Sequence, residues 1–261
     1  MPKCIFCKTA QGHRTKKEHV IPESLGGDEV LRRAFVCDQC NGYFGAKVEK
    51  FALESPLFGS IRSFLCIRTK KGRFARHRFG DYLLSGTQMG PVLHVPFESA
   101  QSLLSEKKKI VLPFDFSFKG SIARMLLKSA LELIAETDSF DVFEKSFDAA
   151  RKAARGPSHM DTWPLAYSIG AVQEEETVFA DALENTAYRY ELRQHPVEGT
   201  LVLQLRFYVT EKLMCFLMVP ITTQGDLLGQ IVQFNLMNPS VVPLVVESVP
   251  LVDSLCSLRG K

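Results

Sequence analysis

The chain contains no long hydrophobic run. Its longest apolar stretches, such as Leu213–Ile221, fall far short of the roughly 20 residues a membrane helix needs. No apolar signal region follows Met1-Pro2-Lys3-Cys4, so nothing directs export and a cytoplasmic location is expected, with no membrane partner. Internal repeats and low-complexity tracts are missing, which excludes repeat arrays and compositionally driven linkers. There is neither a Walker-type loop nor a Gly-x-Gly-x-x-Gly fingerprint, which removes the nucleotide-binding readings that rest on them. Tryptophan occurs once, as Trp163 ahead of Pro164, a setting that favours packing over base stacking.

Cysteine is sparse but unevenly placed. Of seven cysteines, four form two close pairs, Cys4/Cys7 and Cys37/Cys40, while Cys66, Cys215 and Cys256 lie singly in apolar stretches that suit small core residues. An odd total argues against a fully paired disulfide framework, and Cys-x-x-Cys pairs in a reducing compartment usually bind metal. Zinc prefers four ligands in a tetrahedron, and two such turns supply four thiolates. Cys4, Cys7, Cys37 and Cys40 are therefore expected to hold one structural Zn2+. A unit this small has little core of its own, so metal binding should supply much of its folding free energy.

The net charge of +3 hides an asymmetry. Through residue 80 there are 16 Lys and Arg against 7 acidic residues, a balance of +9; the remainder carries −6. A basic N-terminal third suggests contact with a polyanion, a solvated basic surface being the alternative. The basic run is Arg62, Arg68, Lys70, Lys71, Arg73, Arg76 and Arg78, interleaved with Phe64, Phe74 and Phe79, which are read as core more readily than as base-stacking rings.

Along the chain, Val20-Ile21 suggests a short strand ended by Pro22, and Gly26-Gly27 punctuates a loop. Asn41–Glu54 reads as a helix with Phe44, Val48, Phe51 and Ala52 on one stripe, ended at Ser55-Pro56. Lys70–Arg73 reads as a turn, and short strands are expected near Val92–Val95 and Ile110–Phe114. Helices are expected over Ser121–Glu136 and Phe140–Ala154, the second stopped by Gly156-Pro157. Strands follow over Tyr188–Gln194, Leu201–Val209 and Leu213–Pro220, with turns at Pro196–Gly199 and Thr210–Lys212. Two more are expected at Gly229–Asn235 and Val241–Val249. The fold class is α+β, with a β-rich and mostly antiparallel end. The expected division is a module over 1–56, a basic connecting segment over 57–80 and an α+β domain over 81–261.

Between the cysteine pairs stands Glu18-His19, and Asn41 follows the last cysteine. The motifs Cys4-Ile-Phe-Cys7, Glu18-His19-Val-Ile-Pro22-Glu-Ser-Leu-Gly26-Gly27 and Cys37-Asp-Gln-Cys40-Asn41 together resemble the HNH, or ββα-metal, endonuclease superfamily, particularly its four-cysteine branch. The resemblance covers about the first 55 residues. It implies a ββα-metal fold there and hydrolysis of phosphodiester bonds. By the same resemblance, His19 is the general base, while Glu18 and Asn41 bind a catalytic Mg2+ or Mn2+. Such chemistry is physically coherent: neutral imidazole takes a proton near neutral pH, and carboxylate and amide oxygens suit hard divalent ions.

Many relatives place another polar ligand about one turn after the asparagine. Position 45 is glycine here, and Glu49 follows a turn later. The implied partner is nucleic acid, DNA foremost, with a homodimer allowed. Lys16, Lys17, Arg62, Arg68, Lys70, Lys71 and Arg73 are the candidate phosphate contacts. Asn41 can alternatively cap its helix, and the whole module can be a non-catalytic zinc-stapled nucleic-acid-binding or adaptor unit.

Overall fold

The computed structural model describes residues 3–32, 34–69, 71–99, 117–137, 139–158, 161–171, 188–194, 200–210, 213–222 and 245–251. Lys70, Cys256 and the expected strands at 110–114 and 229–235 lie outside these residues.

The N-terminal module is built from short pieces because its sequence offers few long apolar stripes. The first cysteine knuckle closes through Lys8, which takes a left-handed conformation at φ 57° while its N–H donates to the Cys4 carbonyl. Residues 18–20 and 29–31 pair around a single antiparallel bridge, His19 to Val30, with Val20 N–H donating to Glu29 and Leu31 N–H to Glu18. The strand expected at Val20-Ile21 is reduced to this one bridge at the preceding residue, His19, and Val20-Ile21 themselves form a bend. A 3-10 turn, Glu23–Leu25, ends on Gly26 at φ 89°, which favours glycine. Helix α1 (Asp38–Phe44) begins at the second knuckle, passes through a π-helical turn (Gly45–Glu49) and continues as α2 (Lys50–Glu54).

Ser55-Pro56 ends that helix, as expected, and also starts another. The Ser55 hydroxyl accepts from Phe58 N–H at 3.3 Å, and Pro56 takes the first position of α3 (Pro56–Phe64), where its missing N–H costs nothing. The basic residues obscured this helix in the sequence, although Leu57, Phe58 and Ile61 form its buried face. The strands β1 (Arg76–Phe79), β2 (Tyr82–Thr87) and β3 (Gly90–His94) follow as an antiparallel sheet. A hairpin therefore crosses residues 80 and 81.

Helix α4 (Lys119–Glu136) matches expectation, whereas Phe140–Ala154 is helical only near its end: a 3-10 turn, Lys145–Phe147, leads into α5 (Asp148–Arg155). Strand β4 (Thr162–Ala171) escaped the sequence reading because Pro164 interrupts it. Pro164 is tolerated because β4 pairs with β7 only from Ala166 onward. With β5 (Tyr188–Gln194), β6 (Leu201–Thr210), β7 (Leu213–Pro220) and β8 (Val245–Pro250), it forms a five-stranded antiparallel sheet ordered β5-β6-β7-β4-β8. The expected alternation along β6 is present: Leu201, Leu203, Leu205 and Phe207 enter the main core. Val202 packs on the opposite face with Ala166, Phe216 and Met218. Trp163 is buried and its indole N–H donates to the Pro220 carbonyl at 3.0 Å, the packing role expected of it.

One apolar cluster runs from Cys4, Ile5 and Phe44 through α3 and α4 to Leu203 and Leu251. Phe6 meets Phe44 with ring centroids 4.4 Å apart, and Phe58 meets Phe207 at 5.5 Å. The module and the sheet thus share a core. Gly27 sits at a close approach in it, since a Cβ there would lie 1.9 Å from the Ile21 carbonyl oxygen. Gly27→Ala is expected to cost roughly 1–3 kcal/mol by overpacking, read as a lower urea midpoint.

Candidate active site

The sulfur atoms of Cys4, Cys7, Cys37 and Cys40 all lie within 4.8 Å of one another, with Cys7 and Cys37 3.8 Å apart. A tetrahedron of zinc–sulfur bonds of about 2.3 Å has edges of about 3.8 Å, so the donor set fits zinc in both softness and size. Three of the thiols are buried and Cys7 is exposed. Their crowding polarises them: the hydrogen bond from Cys40 holds Cys4 down at about 4, and the same contact pushes Cys40 up. Two donors brace the frame. Cys37 N–H points at the Cys4 sulfur, and Arg155 Nε of α5 points at the Cys40 sulfur, each at 3.5 Å.

Asp38, opening α1, holds the approach to the next strand. Its carboxylate accepts from Thr15 N–H at 2.9 Å, Thr15 Oγ1 at 2.8 Å and Lys16 N–H at 3.1 Å, and these bonds lower its pKa, the Thr15 hydroxyl foremost. Asn41 is inside the helix, whose N-cap position is Cys37. Its side-chain nitrogen donates to the Lys17 carbonyl at 3.3 Å, tying α1 to the residue before Glu18.

Glu18 and His19 do not stand alone on their strand. Helix α4 grips the strand with Ser129 Oγ donating to the Val20 carbonyl at 2.6 Å and Lys128 Nζ donating to the His19 carbonyl at 3.2 Å. The same ammonium lies 2.5 Å from Glu18 Oε1, 3.0 Å from Glu49 Oε1 and 3.1 Å from Glu132 Oε2. Three atoms of this cluster are buried with neither a hydrogen bond nor an ion pair: Glu132 Oε1 on α4, and Glu18 Oε2 and His19 Nδ1 on the adjacent residues that could serve a ligand.

Glu49 reaches the cluster because of the π-helical turn. Eight α-helical residues after Asn41 would carry it about 80° past the Asn41 face. The wider turn over Gly45–Glu49 reduces that overshoot. Burial raises the Glu18 pKa, with Lys128 partly offsetting it, and burial raises Glu132 far more. For Lys128 burial opposes the charge, yet the carboxylates of Glu132, Glu49 and Glu18 outweigh it and hold the amine protonated.

The basic residues divide between two clefts. Lys16 and Lys17 line one of about 190 Å³ together with Arg14, Glu18 and Arg32. Arg62 and Arg73 line another, of about 730 Å³, with Arg76 and Phe74. Arg62 is partly buried and donates to the Leu53 carbonyl at 3.4 Å, whereas Arg68 stacks 4.1 Å over Phe74, and Lys71 is exposed. Phe79 is a core ring, as expected, but Phe74 faces the larger cleft.

The sequence reading missed Lys128, Ser129 and Glu132. A signal was present: Arg124, Lys128 and Glu132 recur at four-residue spacing in an otherwise apolar helix, and a charged stripe on a buried helix demands partners. Those partners are far off in sequence, so the spacing alone could not name them.

Two outcomes follow. The chain should carry one zinc per molecule, and Cys37→Ser should lose it together with a large fraction of thermal stability, measured by metal analysis and melting. Glu132 retains its proton in the folded state above the ordinary glutamate range, where the unfolded chain has released it. Stability contributed by that proton is therefore lost as pH rises through this window. In zinc-loaded protein, Glu132→Gln should show a shallower decline of the urea midpoint with rising pH than wild type.

Comparison with known proteins agrees with this geometry over one segment. No curated protein and no solved structure matches the chain, while the family model described as HNH endonuclease matches residues 4–57. That span holds all four sulfurs, Glu18-His19, helix α1 and the π-helical turn through Glu49, so the match to the HNH endonuclease family falls on the segment that carries the candidate site.

Proposed function

We propose that the protein is a metal-dependent endonuclease hydrolysing phosphodiester bonds in nucleic acid, DNA foremost. What carries the reading is the pair of unpartnered buried atoms, Glu18 Oε2 and His19 Nδ1, on adjacent residues of a strand fixed from both sides. His19 accepts a proton at Nδ1 from the attacking water, as a neutral imidazole does near neutral pH. The His19 carbonyl bond from Lys128 and the Val20 carbonyl bond from Ser129 fix the backbone that carries the imidazole.

Glu18 Oε2, with the amide oxygen of Asn41, would hold the divalent ion; a hard oxygen donor in a buried, negatively charged setting fits Mg2+ or Mn2+. When bound, such an ion supplies a Lewis acid for charge on the phosphoryl group. Glu49 adds negative charge beside Glu18 and is the second acidic group that residues 4–57 bring to Lys128. Lys16 and Lys17 lie in the cleft that reaches Glu18, where they draw the phosphate backbone towards it. Arg68, Lys70, Lys71 and Arg73, together with Arg62, extend the contact along the chain beyond the module.

A nicking assay on single-stranded, duplex and branched DNA and on RNA, with Mg2+ or Mn2+, tests the reading. His19→Ala should lower cutting by roughly 10²–10⁴-fold while zinc content and melting stay unchanged. If binding persists and neither wild type nor variant cuts any substrate, the module is an adaptor. Lys17→Ala and Arg73→Ala should each lower the slope of log binding constant against log salt by about 1.

A further inference from the structure

Helix α4 is buried along nearly its whole length, yet it delivers an ammonium to the proposed catalytic residues from more than 60 residues beyond the family module. Lys128 Nζ has four oxygen neighbours within 3.2 Å, namely Glu18 Oε1, Glu49 Oε1, Glu132 Oε2 and the His19 carbonyl. An all-oxygen shell of carboxylates and a carbonyl is also the ligand chemistry of a hard divalent cation. Lys128 and Glu132 are fully buried and Glu18 and Glu49 largely so, which leaves solvent little scope to screen this arrangement. Three carboxylates against one lysine leave the cluster acidic when all are ionised.

We propose that Lys128 is a resident counter-ion of Glu18 and Glu49, set so that a divalent ion on Glu18 Oε2 binds against its charge. The inference rests on the assignment of Glu18 to that ion. Lys128 occupies Oε1 of Glu18 and leaves Oε2 free, so it orients the carboxylate while competing electrostatically for it. An ion on Oε2 would lie within roughly 4–6 Å of the ammonium, and in a buried setting that repulsion weakens binding by well over a factor of ten. Lys128 is therefore a positioning residue that never meets the substrate. It keeps Glu18 and Glu49 together without a divalent ion and sets the concentration at which one enters.

The decisive measurement is calorimetric titration of the zinc-loaded full chain with Mn2+. Removing Lys128 alone would leave the fully buried Glu132, with Glu18 and Glu49, without a counter-ion, so the comparison is Glu132→Gln against Lys128→Met/Glu132→Gln, with metal analysis confirming that zinc is retained. The double variant should bind Mn2+ at least tenfold more tightly than Glu132→Gln, and adding Glu18→Gln should abolish that binding. Equal or weaker affinity in a folded double variant, or no Mn2+ binding in either, overturns the proposal. Cutting is scored separately. Tighter binding in a chain that never cuts removes the endonuclease reading and keeps this one, whereas normal cutting with unchanged affinity does the reverse.

Discussion

A segment as short as residues 4–57 buries too little apolar surface to hold the geometry of its polar side chains by its own core, and that shortage shapes the rest of the molecule. Two devices make up for it. The four sulfurs gather where one metal ion would cross-link the two knuckles, which are separated by the 29 residues between Cys7 and Cys37. Helices from much later in the chain then clamp the outside. Arg155 donates to the Cys40 sulfur, Arg151 Nε donates to the Ile5 carbonyl at 2.5 Å, and Ser129 donates to Val20. Each clamp satisfies a backbone or sulfur acceptor that a free-standing module would leave to water.

This arrangement places Glu18 of the strand and Glu49 of the π-helical turn in a largely buried setting, where charge must be paired. Glu18 and Glu49 belong to the family module, while Lys128 and Glu132 belong to α4. A lysine removed from water without partners would shed its proton; among three carboxylates it keeps it. Breaking such a cluster by removing one member is costly, because the remaining charges stay buried. The acidic C-terminal remainder thus contributes Lys128, Ser129 and Glu132 to the site, while the exposed basic residues that suit a polyanion lie in the N-terminal third.

Much of the helical and sheet content was legible in the sequence because its cause is local. The period-2 pattern of Leu201–Phe207 and the apolar face of Ser121–Glu136 follow from burial on one side. Strand β4 and helix α3 were not legible for equally local reasons. Pro164 reads as a strand breaker until the register shows that β7 begins pairing only at Ala166, and Pro56–Phe64, with Arg62 in it, runs into the basic stretch from Arg68 to Arg78 and reads as part of it. The late start of α5 belongs with these, since 3-10 geometry over Lys145–Phe147 leaves the apolar spacing almost unchanged.

For the site, the sequence by itself determined the donor chemistry: four thiolates in two turns, and a carboxylate, an imidazole and an amide at motif spacing. Those depend on residue type and short separation, which a chain carries in one dimension. Only the tertiary structure decided what surrounds Glu18 and His19. The π-helical turn brings Glu49 to Glu18, and α4 brings Lys128, Ser129 and Glu132, because a buried charge finds its partners by proximity in space and not by spacing along the chain.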